Sequence, residues 1–299
     1  MQTPALDTSA CWEWRATGTI WRIHHSGQVS GDAAQRIAAL VARHESLWSR
    51  FRPGSEVSRL NAASGEPVTL SSETIALLAA CNDWYRRTGG VFQPLVGRAV
   101  REWGYEVGVG RAPAGTEYSP SSRSITGMVE IDTNRRTARI PEGELIDLGG
   151  IGKGWIADLC REPLAAATDD TSVLLDAGGE LVAVRGCHAM AVVHNGALCG
   201  SVSLHEGEAV ATSGFSVHRW VNGDGAAAHH LIDPATGRPG APAHATVVAE
   251  TAAAADVRAT YLALRPDEVD TAPAPALVTL VGGGRHASQR WGQVALRAA

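Results

Sequence analysis

The sequence predicts an α+β fold with a mixed or antiparallel sheet, and three observations lead there. Strand-like apolar runs crowd the second half of the chain: Val173–Leu175, Leu181–Val184, Met190–Val193, Thr246–Ala249 and Leu277–Val281. Helices are expected at only four places, about 32–48, from near 71, 152–166 and 252–264. No regular alternation of strand and helix demands a doubly wound parallel sheet, and there is no fixed-period repeat.

Taken in order, Thr17–Ile23 alternates small or apolar with polar residues and reads as an opening strand. A helix is expected from about Asp32 to Trp48, because Ala33, Ile37, Leu40, Val41, His44 and Leu47 recur at three- and four-residue spacing. Arg52-Pro53-Gly54-Ser55-Glu56 signals a turn. A second helix should begin near Ser71, with Ser71 or Ser72 as its cap and Ile75, Leu77, Leu78 and Cys81 buried. Residues 106–127, rich in Gly, Pro, Ser and Arg, read as a loop or surface excursion. A hairpin is expected from Val129–Asp132 and Thr137–Ile140, and helices at 152–166 and 252–264.

Composition sets limits on function. The 299 residues carry 26 Lys+Arg against 31 Asp+Glu, a net charge of −5, which gives no overall pull toward nucleic acid. No apolar run reaches the roughly 18 residues of a membrane helix. The five cysteines, Cys11, Cys81, Cys160, Cys187 and Cys199, include no C-x-x-C pair, which argues against a zinc ribbon or thioredoxin-type site. An odd, scattered set fits a reducing compartment. The stretch MQTPALDTSACWEWRATG has no basic region followed by an apolar one, so no signal peptide is expected. No apolar segment precedes Cys11, which makes it a poor lipidation site. The expectation is a cytoplasmic protein.

Five segments could carry chemistry. In Asp147-Leu148-Gly149-Gly150-Ile151-Gly152-Lys153-Gly154, four glycines have no side chain to bury, so they are expected to let a ligand approach or to adopt positive φ. A helix start beside them, with Lys153, would make an anion site suited to phosphate. A glycine-rich turn ending a strand is the competing reading. In Ala252–Thr260, Asp256 and Thr260 stand four apart on one helix face, where a carboxylate and a hydroxyl can share a hard cation such as Mg²⁺. The competing reading is an Asp favouring the helix dipole and a Thr facing solvent. His229-His230 before the Asp233-Pro234-Ala235-Thr236-Gly237 turn could be zinc ligands, a general base or turn decoration. Thr88-Gly89-Gly90-Val91-Phe92-Gln93-Pro94 is a tight turn whose backbone could line a pocket. Asp176-Ala177-Gly178-Gly179-Glu180 is a strand end or another close-approach turn.

Together and in this order, these segments resemble the ApbE family, the FAD:protein FMN transferases. The likeness runs through Ser55–Asn61, Thr88–Phe92, Trp103-Gly104-Tyr105, Asp147–Gly154, Gly178–Glu180, Ala211–Gly214, His230–Gly237 and Ala255-Asp256 with Thr260, over roughly residues 15–285. It implies an ApbE-like, T-fold-related α+β domain over 15–299 after an N-terminal segment 1–14, with a mixed or antiparallel sheet, flanking helices and a flavin site between two lobes. It implies FAD as substrate and Mg²⁺ as cofactor. The implied reaction moves FMN to a Ser or Thr hydroxyl of an acceptor flavoprotein and releases AMP. It further implies metal ligation by Asp256, Thr260 and the Gly150 carbonyl. Flavin or adenine contacts fall to Thr17, Phe51, Val91, Phe92, Gln93, Asp147 and Lys153, and the role of base to His230.

The chain departs from the family's pattern at Gln93, where Asp is usual, at Asp176, where Asn is common, and at Phe215, which stands for an Asp. Two other activities share these residues: hydrolysis of FAD to FMN and AMP, and flavin carriage without chemistry.

Overall fold

The computed structural model describes residues 10–105, 123–216, 219–221, 225, 227–241 and 243–295. They group into two compact units. The first gathers the described residues up to His44, Ile151–Ser213 and those from Ala243 onward; the second gathers those of Glu45–Gly150 and Gly214–Pro242.

The first unit is built on one eight-stranded sheet. Its spatial order is Ala10–Ala16, Thr19–His25, Val173–Asp176, Glu180–Arg185, Ala209–Gly214, Ala243–Ala249, Ala276–Leu280 and Arg285–Ala287, which is also the order along the chain. Six of the seven neighbouring pairs run antiparallel, among them Thr19–His25 with Val173–Asp176 and Ala243–Ala249 with Ala276–Leu280. The mixed-or-antiparallel expectation therefore holds. Every residue of Ala243–Ala249 is buried, because helix Ala252–Leu264 packs on this strand and Val248 also joins an apolar cluster with Leu174, Ala183, Val210 and Leu277. A hairpin, His188–His194 with Ala197–Leu204, contributes Val192, Val202 and Leu204 to that cluster.

Helices Gly152–Ala166 and Ala252–Leu264 occupy the predicted spans. Their crossing corrects one expectation. Gly154 has no positive φ; a Cβ there would lie 2.6 Å from the Ala252 carbonyl oxygen, so this glycine is a packing residue that lets two backbones meet. Asp158 fastens the same crossing by accepting hydrogen bonds from the Ala252 and Ala253 N–H groups at 2.7 and 2.9 Å. Those amides are unsatisfied donors of a helix start, and a carboxylate answers both them and the dipole.

The opening strand is also corrected. Thr17 and Gly18 form a two-residue turn with φ of 51° and 74°, and the strand proper is Thr19–His25, paired with an unpredicted strand Ala10–Ala16. Two positive φ values are what a tight hairpin needs, and Thr is an unusual occupant. The side chain of Thr17 is held by the Trp21 indole N–H, which donates to its Oγ1 at 2.9 Å.

The second unit holds helices Glu56–Ala62, Ser72–Arg87 and Gly97–Glu102, a small sheet in the order Val68–Thr69, Thr137–Arg139, Glu130–Asp132, and two short ribbons. Ser55 caps the first helix by accepting from Ser58 N, and Ser71 caps the second by accepting from Thr74 N. The helix Glu56–Ala62 was not foreseen, since only Val57 and Leu60 are buried on it. The hairpin near 130–139 and the helix Gly31–Trp48 follow prediction. Of the anticipated 106–127 excursion, 106–122 lie outside the described residues, and Arg123–Gly127 has no regular structure.

Candidate functional site

Two clusters stand out, one in each unit. In the first unit, Lys153 enters the helix Gly152–Ala166 at its first turn and its Nζ sits 2.9 Å from Glu180 Oε1. Glu180 opens the strand Glu180–Arg185 and is 3% exposed; its Oε2 has no hydrogen-bond partner among the described residues. Asp256, 5% exposed on the helix Ala252–Leu264, accepts from Gly154 N–H, and its Oδ2 is likewise unpartnered. Burial, and after it the negative charge of Glu180, push the Asp256 carboxyl up to about 8, against the pull of Lys153 and the Gly154 N–H. Thr260, one turn on, shares a hydroxyl contact of 3.4 Å with Ser213.

A buried carboxylate oxygen without a donor is costly unless something positive meets it. Among the described residues no three His, Cys, Asp or Glu gather to make a protein-only cage. The donor set is instead one carboxylate with hydroxyls nearby. That suits a hard cation such as Mg²⁺, which takes few protein oxygens and leaves the rest to water and phosphate.

Gly178 stands two residues before Glu180. It has φ +81°, and a Cβ there would run into the Thr19 side chain. The close approach predicted for the glycine pair is real, with the neighbouring strand as the partner. Asp176, just before, accepts from Gly178 N at 2.7 Å and pairs with Arg22.

In the second unit, Arg50 is the centre. Its Nε lies 2.6 Å from Asp147 Oδ2, its NH2 donates to Tyr105 O at 2.7 Å, and its guanidinium carbon is 4.2 Å from the Phe51 ring centroid. Phe51 is 44% exposed, so a flat aromatic face is presented with a cation behind it. Tyr105 meets Phe51 edge-on at 6.0 Å and stacks on Trp220 at 5.3 Å, and His230 lies 6.5 Å from Tyr105. Asp147 Oδ1 accepts from Gly149 N at 2.7 Å, so both its oxygens have fixed partners.

The predicted residues divide accordingly. Lys153, Asp256, Thr260 and Thr17 belong to the first unit; Phe51, Val91, Phe92, Gln93, Asp147, Gly150 and His230 to the second. The His pair splits. His229 is buried against Phe215, with Nε2 3.2 Å from the Gly240 carbonyl oxygen, and burial lowers its pKa; His230 is half-buried beside Tyr105. In the Thr88–Pro94 turn, Gly89 and Gly90 have φ of 59° and 86°, and Thr88 Oγ1 accepts from Phe92 N. The Gln93 side chain is turned inward: its amide donates to the Ile125 and Gly127 carbonyls and its Oε1 accepts from Leu95 N. An Asp could not make those two donations, so Gln93 holds its own loop and leaves the Val91-Phe92 backbone as the surface a ligand could use.

The ApbE family model matches residues 17–273. The chain belongs to the ApbE family. A FAD:protein FMN transferase of Rhodobacter capsulatus is 28% identical over 285 residues, covering 90% of this chain and 53% of that protein. One of Vibrio cholerae is 30% identical over 256 residues, covering 80% and 75%. The chain thus spans about half the length of the first relative and three quarters of the second. The solved ApbE protein of Thermotoga maritima superposes with a TM-score of 0.84 at 26% identity, covering 96% of this chain and 99% of that one. The α+β ApbE architecture is therefore established for this chain.

Two ApbE-chain residues were not assigned roles from sequence. Arg50 had only its neighbour Phe51 to signal it. Glu180 was seen as the end of a glycine turn, and nothing local in the sequence links it to Lys153.

Proposed function

We propose that this chain transfers FMN from FAD to a Ser or Thr hydroxyl of an acceptor flavoprotein, with Mg²⁺ as cofactor and AMP as leaving group. The observation that carries the reading is Asp256. It is a buried carboxylate with an unpartnered oxygen, one helical turn from Thr260 and within the field of Lys153, in a chain whose relatives are named for this transfer.

The residues divide the work. Asp256 and Thr260 would hold the cation. The chemistry a bound Mg²⁺ supplies is neutralisation of charge on the oxygens around the reacting phosphorus. Lys153 would bind the pyrophosphate as a point charge. Phe51, backed by Arg50, would carry a flat ring of the dinucleotide, with Asp147 fixed by the same guanidinium. His230 would take the proton from the acceptor hydroxyl. The hydroxyl oxygen then bonds to the FMN phosphorus as the bond to the AMP oxygen breaks, and AMP departs with that electron pair. Such a displacement asks for positioning and charge, so no enzyme nucleophile is needed. A cytoplasmic location belongs to the same proposal, supported by the odd and scattered cysteines.

Incubation with FAD and Mg²⁺, with and without acceptor candidates encoded nearby, tests the reading. Flavin fluorescence on the denatured acceptor band, with AMP in equal amount, is expected. FMN and AMP accumulating freely without acceptor would make the chain a pyrophosphatase, and flavin bound unchanged would make it a carrier.

A further inference from the structure

Three carboxylates lie on or beside the helix Gly152–Ala166, and they are differently engaged. Asp158 is occupied by the Ala252 and Ala253 amides. Glu180 Oε1 holds the Lys153 ammonium at 2.9 Å, with both side chains mostly out of solvent. Asp256 has one oxygen on the Gly154 N–H and one with no partner. Lys153 is attracted to Asp256 as well as to Glu180, since its charge is among those acting on the Asp256 carboxyl. A flexible ammonium held by one buried carboxylate and attracted by a second settles on whichever is better placed.

We propose that Glu180 is a positioning residue that ties Lys153 to itself and so reserves the open oxygen of Asp256 for the cation. This deepens the cation reading given above and rests on it. In the intact cluster Glu180 and Lys153 cancel, leaving the Asp256 carboxyl, which gives up its proton as a cation arrives, without a counter-ion. With Glu180 neutral, Lys153 becomes the counter-ion of Asp256, the cluster is neutral and the cation's place is filled. With both Glu180 and Lys153 neutral, the Asp256 carboxyl is again without a counter-ion. A Glu180 that ligated the cation directly through Oε2 would behave otherwise, because removing Lys153 could not replace a lost ligand.

The test is Mn²⁺ binding without nucleotide, read from the free-ion electron paramagnetic resonance signal. The variants are Glu180→Gln, Lys153→Met, the double variant and Asp256→Asn, each checked for a normal melting transition. Glu180→Gln should weaken Mn²⁺ binding at least about tenfold, as expected when an uncompensated positive charge sits a few ångströms from the ion. The double variant should return to within about threefold of the parent. Lys153→Met alone should bind at least as tightly as the parent, and this arm stands if Glu180→Gln does not fold. A double variant as weak as Glu180→Gln, a Lys153→Met that loses Mn²⁺, or a Glu180→Gln that binds like the parent while Asp256→Asn does not, would overturn the proposal. Undiminished binding by Asp256→Asn would instead remove the cation reading beneath it.

Discussion

The Lys153–Glu180–Asp256 cluster of the first unit and the Arg50–Phe51–Tyr105 cluster of the second both set a cation near a carboxylate, with opposite results. Arg50 and Asp147 balance in charge: Asp147 has a partner on each oxygen, and the guanidinium carbon lies 4.2 and 5.5 Å from the Phe51 and Tyr105 ring centroids, although Arg50 Nε, 2.6 Å from Asp147 Oδ2, lacks hydrogen-bond geometry. The first cluster is short of one positive charge. Two carboxylates face one ammonium, and each carboxylate keeps an oxygen without a hydrogen-bond partner. Under the proposed function, the balanced pair would serve as a mount for an exposed ring, and the set short of a positive charge would receive a cation and the phosphates it brings. The difference lies in charge count and burial.

Several changes should break or sharpen that contrast. The largest effect is expected at His230. His230→Ala should cut transfer to a Ser/Thr acceptor by about 10²–10⁴-fold, the usual contribution of a general base. FAD binding by flavin fluorescence should stay within about tenfold, since one ordinary hydrogen bond contributes about 1 kcal/mol. Equal losses in both would make His230 a ligand-holding residue. Asp256→Ala comes next: transfer should fall at least about 10²-fold, as on loss of one preorganised electrostatic group. Near-normal Mg²⁺-dependent transfer would remove Asp256 from the cation site.

Gly178→Ala tests the scaffold of the charged cluster. A Cβ at φ +81° meets the Thr19 side chain, combining backbone strain with overpacking. Destabilisation of about 3 kcal/mol is expected, seen as a melting temperature lower by roughly 5 °C or more. An unchanged melting curve would mean that the turn can relax away from Thr19.

The smallest effect concerns His194, whose ring nitrogens lie 2.8 Å from Thr279 Oγ1 and Thr246 Oγ1. Burial, and then the neighbouring His244, lower its pKa to about 4. The unfolded chain takes up this proton near pH 6.5 and the folded chain only near 4, so its contribution is intact above pH 6.5 and lost as pH falls between them. Between pH 7.5 and 5 the parent should lose about 2 kcal/mol that His194→Gln does not lose, by urea denaturation at both pH values. Parallel losses would mean that His194 is protonated in the folded protein.

The contrast also explains what the sequence made legible. The spans expected for the helices, 152–166 and 252–264, match the structure to the residue, and in the second the alanine run declares the helix locally. The Asp256–Thr260 pair was legible for the same reason, since four-residue spacing puts both on one face. For Gly154 the sequence offers ligand approach, positive φ or a plain turn, whereas its role is to admit the Ala252 backbone, a contact between helices distant in sequence. The Thr17-Gly18 turn was missed because positive φ at Thr has no sequence signal. Glu180 with Lys153 and Arg50 with Asp147 are long-range ion pairs, invisible to any local pattern. Gln93, a departure from the family's Asp, is explained only by the two carbonyls it satisfies.

The most direct measurement of the division between ring and charge is the gain in FAD affinity on adding Mg²⁺, by fluorescence titration of Phe51→Ala and Asp256→Asn. Phe51→Ala should lower FAD affinity by roughly tenfold both with and without Mg²⁺, as expected for losing one stacked ring, and keep the full Mg²⁺-dependent gain. Asp256→Asn should retain its affinity without Mg²⁺ and lose the gain. A Phe51→Ala protein that no longer responds to Mg²⁺, or an Asp256→Asn protein that still does, would contradict the separation of the two tasks.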